Sequence, residues 1–362
     1  MHKCPRAKRV RAADCISCGH CDGRCPFHVE QSARMVDRFM EAGGTYFDTA
    51  FVYDNGESEE VTRKALVERH PRGSYTLCTK LCAWQQCHDE ESAKQQFYTS
   101  LERTGAGYFD FYLLHALQRS NYKKYDEYHI WDFVKELKAK GLVKHYGFSF
   151  HAAPALLEEL LNDHPDVDFI QLQINYADWI DPGVASAECY RIARGHGVSI
   201  TVMEPVKGGA LANPPEGVQK LFRSADPNAS MDGIITVLSG MSNMEQMEDN
   251  LSYMRNFKPL TAQEQEIITK AQAELVKDHS IKCTRCHYCT DGCPMGIAIP
   301  EIFTVRNGEL KAKSRDGGKQ AYAIATQGKG KASACVECGQ CEAACPQHLP
   351  VISLLKDCVC ME

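Results

Sequence analysis

Three stretches of this chain repeat one cysteine spacing, and that repeat constrains its architecture more than any other feature. Cys15, Cys18, Cys21 and Cys25 run C-x2-C-x2-C-x3-C and end at Pro26. Cys283, Cys286, Cys289 and Cys293 repeat the run before Pro294, and Cys335, Cys338, Cys341 and Cys345 repeat it before Pro346. Twelve of the 19 cysteines in 362 residues are used this way. Dense cysteine in a short exported domain means disulfides. In a long chain whose basic N-terminus lacks a following apolar segment, it points to metal. Zinc sites draw on two separated C-x2-C pairs rather than on four-cysteine runs closed by proline.

The run resembles that of bacterial-type ferredoxins, whose thiolates bind 4Fe–4S clusters. The resemblance implies that three cysteines of a run cap one cubane while the fourth, beside proline, serves the neighbouring cluster. It assigns Cys283, Cys286, Cys289 and Cys345 to one cluster, and Cys335, Cys338, Cys341 and Cys293 to a second. Ala13–Val29 matches Ser333–Val351, including Cys-Gly, Cys-Pro and a histidine two residues past the proline. Cys15, Cys18, Cys21 and Cys25 are therefore candidate ligands of a third cluster, with Cys4 nearby. Between the C-terminal runs, Val305–Ala334 holds seven Lys/Arg and two acidic residues. We read it as a solvated loop offsetting the negative charge of thiolate-ligated clusters. Docking of an acidic electron carrier is the alternative.

The middle of the chain has a different texture. Short apolar runs at 45–50, 75–80, 108–116, 143–149, 168–175, 198–204 and 233–238 read as strands. Between them fall amphipathic stretches at 57–70, 90–103, 126–140, 154–161, 184–194 and 243–256, several with helix-start or helix-stop chemistry. Strand and helix alternating at this period predict parallel βα units, and no G-x-G-x-x-G follows a strand, which favours a barrel over a dinucleotide-binding open sheet. The expected organisation is an N-terminal cysteine-rich segment (1–30), a barrel (31–278) and a small iron–sulfur domain (279–362). Formal charge is −6, so nothing global suggests nucleic acid. No apolar run reaches the ~18 residues that span a bilayer, and a cytoplasmic protein is expected.

Barrel chemistry sits at the C-terminal ends of strands. There the sequence places Asp48, Lys80, His115, Ser149, Gln171 and Glu204, with Tyr53 in the loop after the first of these strands. The stretches FDTAFVYDNGESEE, CTK, DFYLLH, GFS and SGMSNMEQMEDN resemble the motif series of the aldo/keto reductases, and the cysteine-rich tail resembles the branch of that family with a ferredoxin-like domain. The resemblance covers about Val36 to Cys360. It implies a (β/α)8 TIM-type barrel, a catalytic tetrad of Asp48, Tyr53, Lys80 and His115, and a small carbonyl or alcohol as substrate. In that tetrad Lys80 would lower the Tyr53 pKa, Asp48 would hold Lys80 charged, and His115 would orient the substrate oxygen. The resemblance also implies NADH or NADPH contacts at Ser149, Gln171, Gly240, Ser242 and Asn250. Gln246 stands where a basic residue would grip the 2′-phosphate of NADP, so NAD(H) is at least an equal candidate. The clusters would exchange electrons with a ferredoxin or flavodoxin.

One departure stands out. The family has eight strands, and this sequence shows seven, the first being replaced by the cysteine-rich N-terminal segment. An open barrel with two free edges is expected, with weakened structure around Phe47 and Gly233. The alternative function is an electron-transfer or redox-sensing protein with an inactive barrel scaffold.

Overall fold

The apolar runs of the middle region become strands because β-branched and aromatic side chains pack well on a pleated surface. In the computed structural model, which describes residues 26–222, 231–255, 260–312 and 318–362, they are β1 (Tyr46–Asp48), β2 (Thr76–Leu81), β3 (Phe109–Leu117), β4 (Val143–Phe150), β5 (Phe169–Gln173), β6 (Ser199–Met203) and β7 (Ile234–Val237). They form one all-parallel sheet in chain order, curled into a nearly closed barrel. Cys4, Cys15, Cys18, Cys21 and Cys25 lie outside the described residues, and with them the expected third cluster.

Helices cover the outside: α1 (Pro26–Glu41), α2 (Glu57–Thr62), α3 (Glu90–Thr104), α4 (Lys123–Glu127), α5 (Ile130–Ala139), α6 (Pro154–Asp163), α7 (Ser186–Gly195), α8 (Glu216–Phe222), α9 (Met244–Met254) and α10 (Ala262–Leu275). Local chemistry sets their ends. At α3, the Asp89 side chain accepts from Ser92 N while the Ser92 hydroxyl reaches back to the Asp89 amide, and Gly105 at φ 63° stops the helix. The main core lies between sheet and helices, around residues such as Phe97, Tyr112, Phe148 and Leu157. A smaller one fills the barrel interior, where Cys78, Leu113 and Phe169 meet Tyr46 and Phe111. Gly147 is needed there, since a Cβ would lie 1.7 Å from the Phe169 carbonyl oxygen.

Three stretches differ from the sequence reading. The helix expected over 57–70 is α2 followed by a π-type turn at Arg63–Val67. The one expected over 126–140 is split by His129 at φ 49° into α4 and α5. The connection 205–231, for which no helix is expected, contains α8.

Among the described residues the sheet ends at β1 and β7, which do not pair with each other. The helical layer bridges that gap. Arg38 on α1 makes an ion pair with Glu248 on α9, and Gln31 Nε2 donates to the Ser242 carbonyl at 2.6 Å. At β7, Ile235 and Val237 are 41% and 46% exposed, as an edge without its neighbour would leave them.

The C-terminal cysteine runs build a separate small domain from α11 (Tyr288–Asp291), α12 (Ile299–Ala312), α13 (Gly318–Ala325), α14 (Gln340–Ala344) and α15 (Val351–Cys358). It has its own core, including Ile302, Phe303, Tyr322 and Leu355. It sits over the C-terminal mouth of the barrel. Gln85 donates to Asp291 at 2.7 Å, Ser120 to the Ala343 carbonyl at 3.0 Å, and Gln173 and Gln347 bond each other through their amides. Among the described residues no helix is long and apolar enough to cross a membrane.

Candidate active site and cluster sites

Four of the expected residues meet at the covered mouth. Lys80, fully buried near the end of β2, forms an ion pair with Asp48 at the end of β1 and donates to the Thr49 carbonyl at 2.7 Å. Its ammonium lies 4.7 Å from the centre of the Tyr53 ring. Tyr53 is turned inward by the bend that follows it, where Asp54 and Asn55 both adopt left-handed backbone angles, a conformation that Asp and Asn tolerate better than most residues. The Tyr53 and His115 rings stand edge to face at 5.5 Å.

His115 is aimed by an irregularity in β3. The register against β4 shifts between Leu114 and Leu117, and Ala116 takes φ 54°; such bulges commonly re-aim a side chain. The His115 carbonyl accepts from Tyr125 Oη at 2.5 Å and from Trp84 Nε1 at 3.2 Å, which pins the backbone at this point.

Electrostatics correct one expectation. Burial pushes the Tyr53 phenol well above its ordinary pKa, and Asp48, Cys78 and Glu204 push it the same way. The shift is upward even though the Lys80 ammonium lies beside the ring. Burial, with Lys80 and His151 adding to it, holds His115 far below its ordinary pKa, so the imidazole is neutral. The arrangement therefore presents a protonated phenol beside a neutral imidazole. His115 Nδ1 and Asp48 Oδ2 are buried and lack a hydrogen-bond partner.

The expected nucleotide contacts fall in two places. Ser149 and Gln171 are register partners on β4 and β5. The Ser149 hydroxyl accepts from Ala116 N at 2.7 Å. Gln171 Nε2 points to Met203 Sδ at 3.5 Å, and its Oε1 is buried without a partner. Gly240, Ser242 and Asn250 lie after β7 and on α9, exposed or half-exposed. Ser242 N donates to Gln246 Oε1, and Asn250 Nδ2 to Ser239 Oγ. Gln246 thus caps its own loop and brings no positive charge to this place.

The C-terminal thiols line two cavities. One is lined by Cys283, Cys286, Cys289 and Cys345; the other by Cys293, Cys335, Cys338 and Cys341. Each set takes three cysteines from one run and the last cysteine of the other. Four cysteines are the donor set that a 4Fe–4S cluster takes, whereas among the described residues no trio of Cys, His, Asp or Glu converges on a single ion. Burial pushes the Cys341 thiol up to about 11, with Glu342 and Cys335 adding to it. Bound iron would supply the positive charge that favours thiolates here.

One residue at the mouth was not found from the sequence. Tyr288, between Cys286 and Cys289, puts its hydroxyl 3.2 Å from His115 Nε2 and its ring edge to face with Trp84 at 5.9 Å. The available signal was small: an aromatic in a run whose two counterparts carry glutamine (Gln340) or histidine (His20) at that position.

Comparison with known proteins agrees with this architecture. A model of the aldo/keto reductase family matches residues 21–223, and a model of a 4Fe-4S dicluster domain matches residues 275–346. An aldo-keto reductase from Strobilurus tenacellus is 28% identical over 228 residues, 60% of this chain and 64% of its own length. The chain thus spans just under two thirds of that relative. An uncharacterized oxidoreductase from Bacillus subtilis, YqkF, is 24% identical over 270 residues, 64% of this chain and 84% of its own. Among solved structures, the holo form of an aldo-keto reductase from Bacillus halodurans has 28% identity and a TM-score of 0.54, covering 66% of this chain and 86% of that one. An aldo-keto reductase from Klebsiella pneumoniae in complex with NADPH shares the fold at 18% identity and a TM-score of 0.54, covering 72% and 90%. The chain belongs to the aldo/keto reductase family and carries a C-terminal 4Fe-4S dicluster domain.

Proposed function

We propose that this oxidoreductase reduces a small carbonyl, or oxidises the corresponding alcohol, with NADH or NADPH, and that its two clusters exchange single electrons with a ferredoxin or flavodoxin. The observation that carries the reading is the meeting of Asp48, Tyr53, Lys80 and His115 at one barrel mouth. A bound reduced nicotinamide supplies the hydride, and the chain supplies the rest. Tyr53 gives its phenolic proton to the carbonyl oxygen as negative charge builds there. Neutral His115 orients the same oxygen. Asp48 fixes Lys80, whose charge stabilises the phenolate left behind. Gln171 Oε1, buried and unpartnered, is the acceptor offered to a carboxamide, with Ser149 beside it. Gly240, Ser242 and Asn250 would meet the nucleotide's phosphates. With Gln246 neutral, NADH is as well accommodated as NADPH. Cys283, Cys286, Cys289 and Cys345 would hold one cluster, and Cys335, Cys338, Cys341 and Cys293 the other.

The test is anaerobic purification with iron and sulfide counts, followed by a panel of carbonyls and alcohols with each nucleotide. The reading expects two cubanes' worth of iron from the C-terminal runs and carbonyl-dependent oxidation of NADH or NADPH. The rival, a cluster protein on an inert barrel, draws on Tyr288 standing against His115. It would be favoured if neither nucleotide bound in the micromolar range.

A further inference from the structure

The two C-terminal cysteine runs follow the same local course up to one residue. His287 (φ 64°) and Gly339 (φ 78°) occupy equivalent left-handed positions, and each starts a short helix, α11 or α14. The next residue is Tyr288 in one run and Gln340 in the other. The Gln340 side chain turns back into its own domain, close to Gly292. Tyr288 projects into the barrel instead. Its hydroxyl is hydrogen-bonded to His115 Nε2 at 3.2 Å, and the Tyr53 ring stands edge to face with the same imidazole at 5.5 Å. These are the two groups that must both face the oxygen of a reacting carbonyl.

The cover is held down on several sides. Gln85 grips Asp291 at the end of α11. Gly208, at φ 60°, packs so closely that a Cβ there would lie 2.7 Å from the Thr284 carbonyl oxygen. Trp84, which donates to the His115 carbonyl, meets the Tyr288 ring edge to face. The peptide that carries Tyr288 is anchored at both ends by cysteines lining one cluster cavity.

We propose that Tyr288 holds the place of the substrate's reacting oxygen and is the residue that decides which carbonyls this site accepts. A substrate enters by exchanging its own oxygen for the Tyr288 hydroxyl between Tyr53 and His115. Because Cys286 and Cys289 tether the phenol on both sides, it moves aside only a little, and small aliphatic carbonyls are accepted over bulky ones. Tyr288 is a positioning residue, and the iron–sulfur domain supplies the lid of the reductase site. The inference rests on the reductase reading, so its test includes a readout independent of turnover.

The experiment compares anaerobically purified, cluster-loaded wild type with Tyr288→Phe and Tyr288→Ala. Benzoate is titrated by calorimetry, because its carboxylate takes hydrogen bonds from Tyr53 and His115 as a carbonyl oxygen would. Steady-state constants are then measured for propanal and 4-nitrobenzaldehyde. Removing one hydrogen bond and then the whole ring should tighten benzoate by about threefold in Tyr288→Phe and by about tenfold in Tyr288→Ala. The KM for 4-nitrobenzaldehyde should fall relative to that for propanal in Tyr288→Ala. Adding Tyr53→Phe to Tyr288→Ala should abolish the gain in benzoate affinity. Benzoate affinity unchanged in both single variants would overturn the proposal. Tightening of benzoate with no turnover by any form would uphold Tyr288's place and overturn the reductase reading instead.

Discussion

At the scale of single residues, the site turns on Lys80, whose ammonium is fully buried against Asp48. Lys80→Met leaves that carboxylate without its counter-charge, and removing one partner of a buried pair costs about 3–5 kcal/mol. Urea unfolding of the cluster-loaded protein should show that loss, and carbonyl reduction should disappear with it; unchanged stability would contradict the pairing. A second residue reports through pH. Burial, with His348 nearby, pushes His151 down to about 3 from an ordinary 6.5. Between those values the unfolded chain binds a proton that the folded chain does not, so stability falls as pH drops below about 6.5. Wild type should therefore lose more stability from pH 7 to pH 5 than His151→Gln, and equal losses would contradict it. Asp48, Tyr53, Lys80 and His115 were legible because each sits at a fixed place in a strand-end motif. Tyr288 was not, because it reaches His115 across 173 residues of sequence and from another domain. The direction of the Tyr53 shift was also illegible, since burial is a property of the assembled mouth.

At the scale of elements, strand periodicity survived folding well. The runs at β2 to β6 became strands whose side chains are mostly buried in the barrel interior or under the helices, while the edge strand β7 leaves Ile235 and Val237 exposed. Helix ends were less legible. No glycine or proline in the sequence marks the break at His129 or the π-type turn at Arg63–Val67. The edges carry a prediction. β1 and β7 each have one strand neighbour among the described residues, whereas β3 and β4 have two. Hydrogen exchange at β1 around Phe47, and at Ile234–Val237, should be faster than in β3 and β4. Equal protection would mean that another segment pairs with those edges.

At the scale of the whole molecule, the barrel and the cysteine-rich domain have separate cores but share one mouth. Ligands that bind only the folded state stabilise it, so iron removal by chelation should loosen the C-terminal domain first. Exchange should rise at α11 and α14 while β3 to β5 stay protected; loss of protection throughout would contradict separate cores. The account as a whole stands on Tyr53 as the proton donor of a nicotinamide-dependent reductase. The most direct measurement sets wild type beside Tyr53→Phe, both cluster-loaded, reading nucleotide affinity by titration and carbonyl turnover by NAD(P)H oxidation. The account predicts unchanged nucleotide affinity with turnover lost in the variant. Equal turnover by the two forms, or loss of affinity and turnover together, would contradict it.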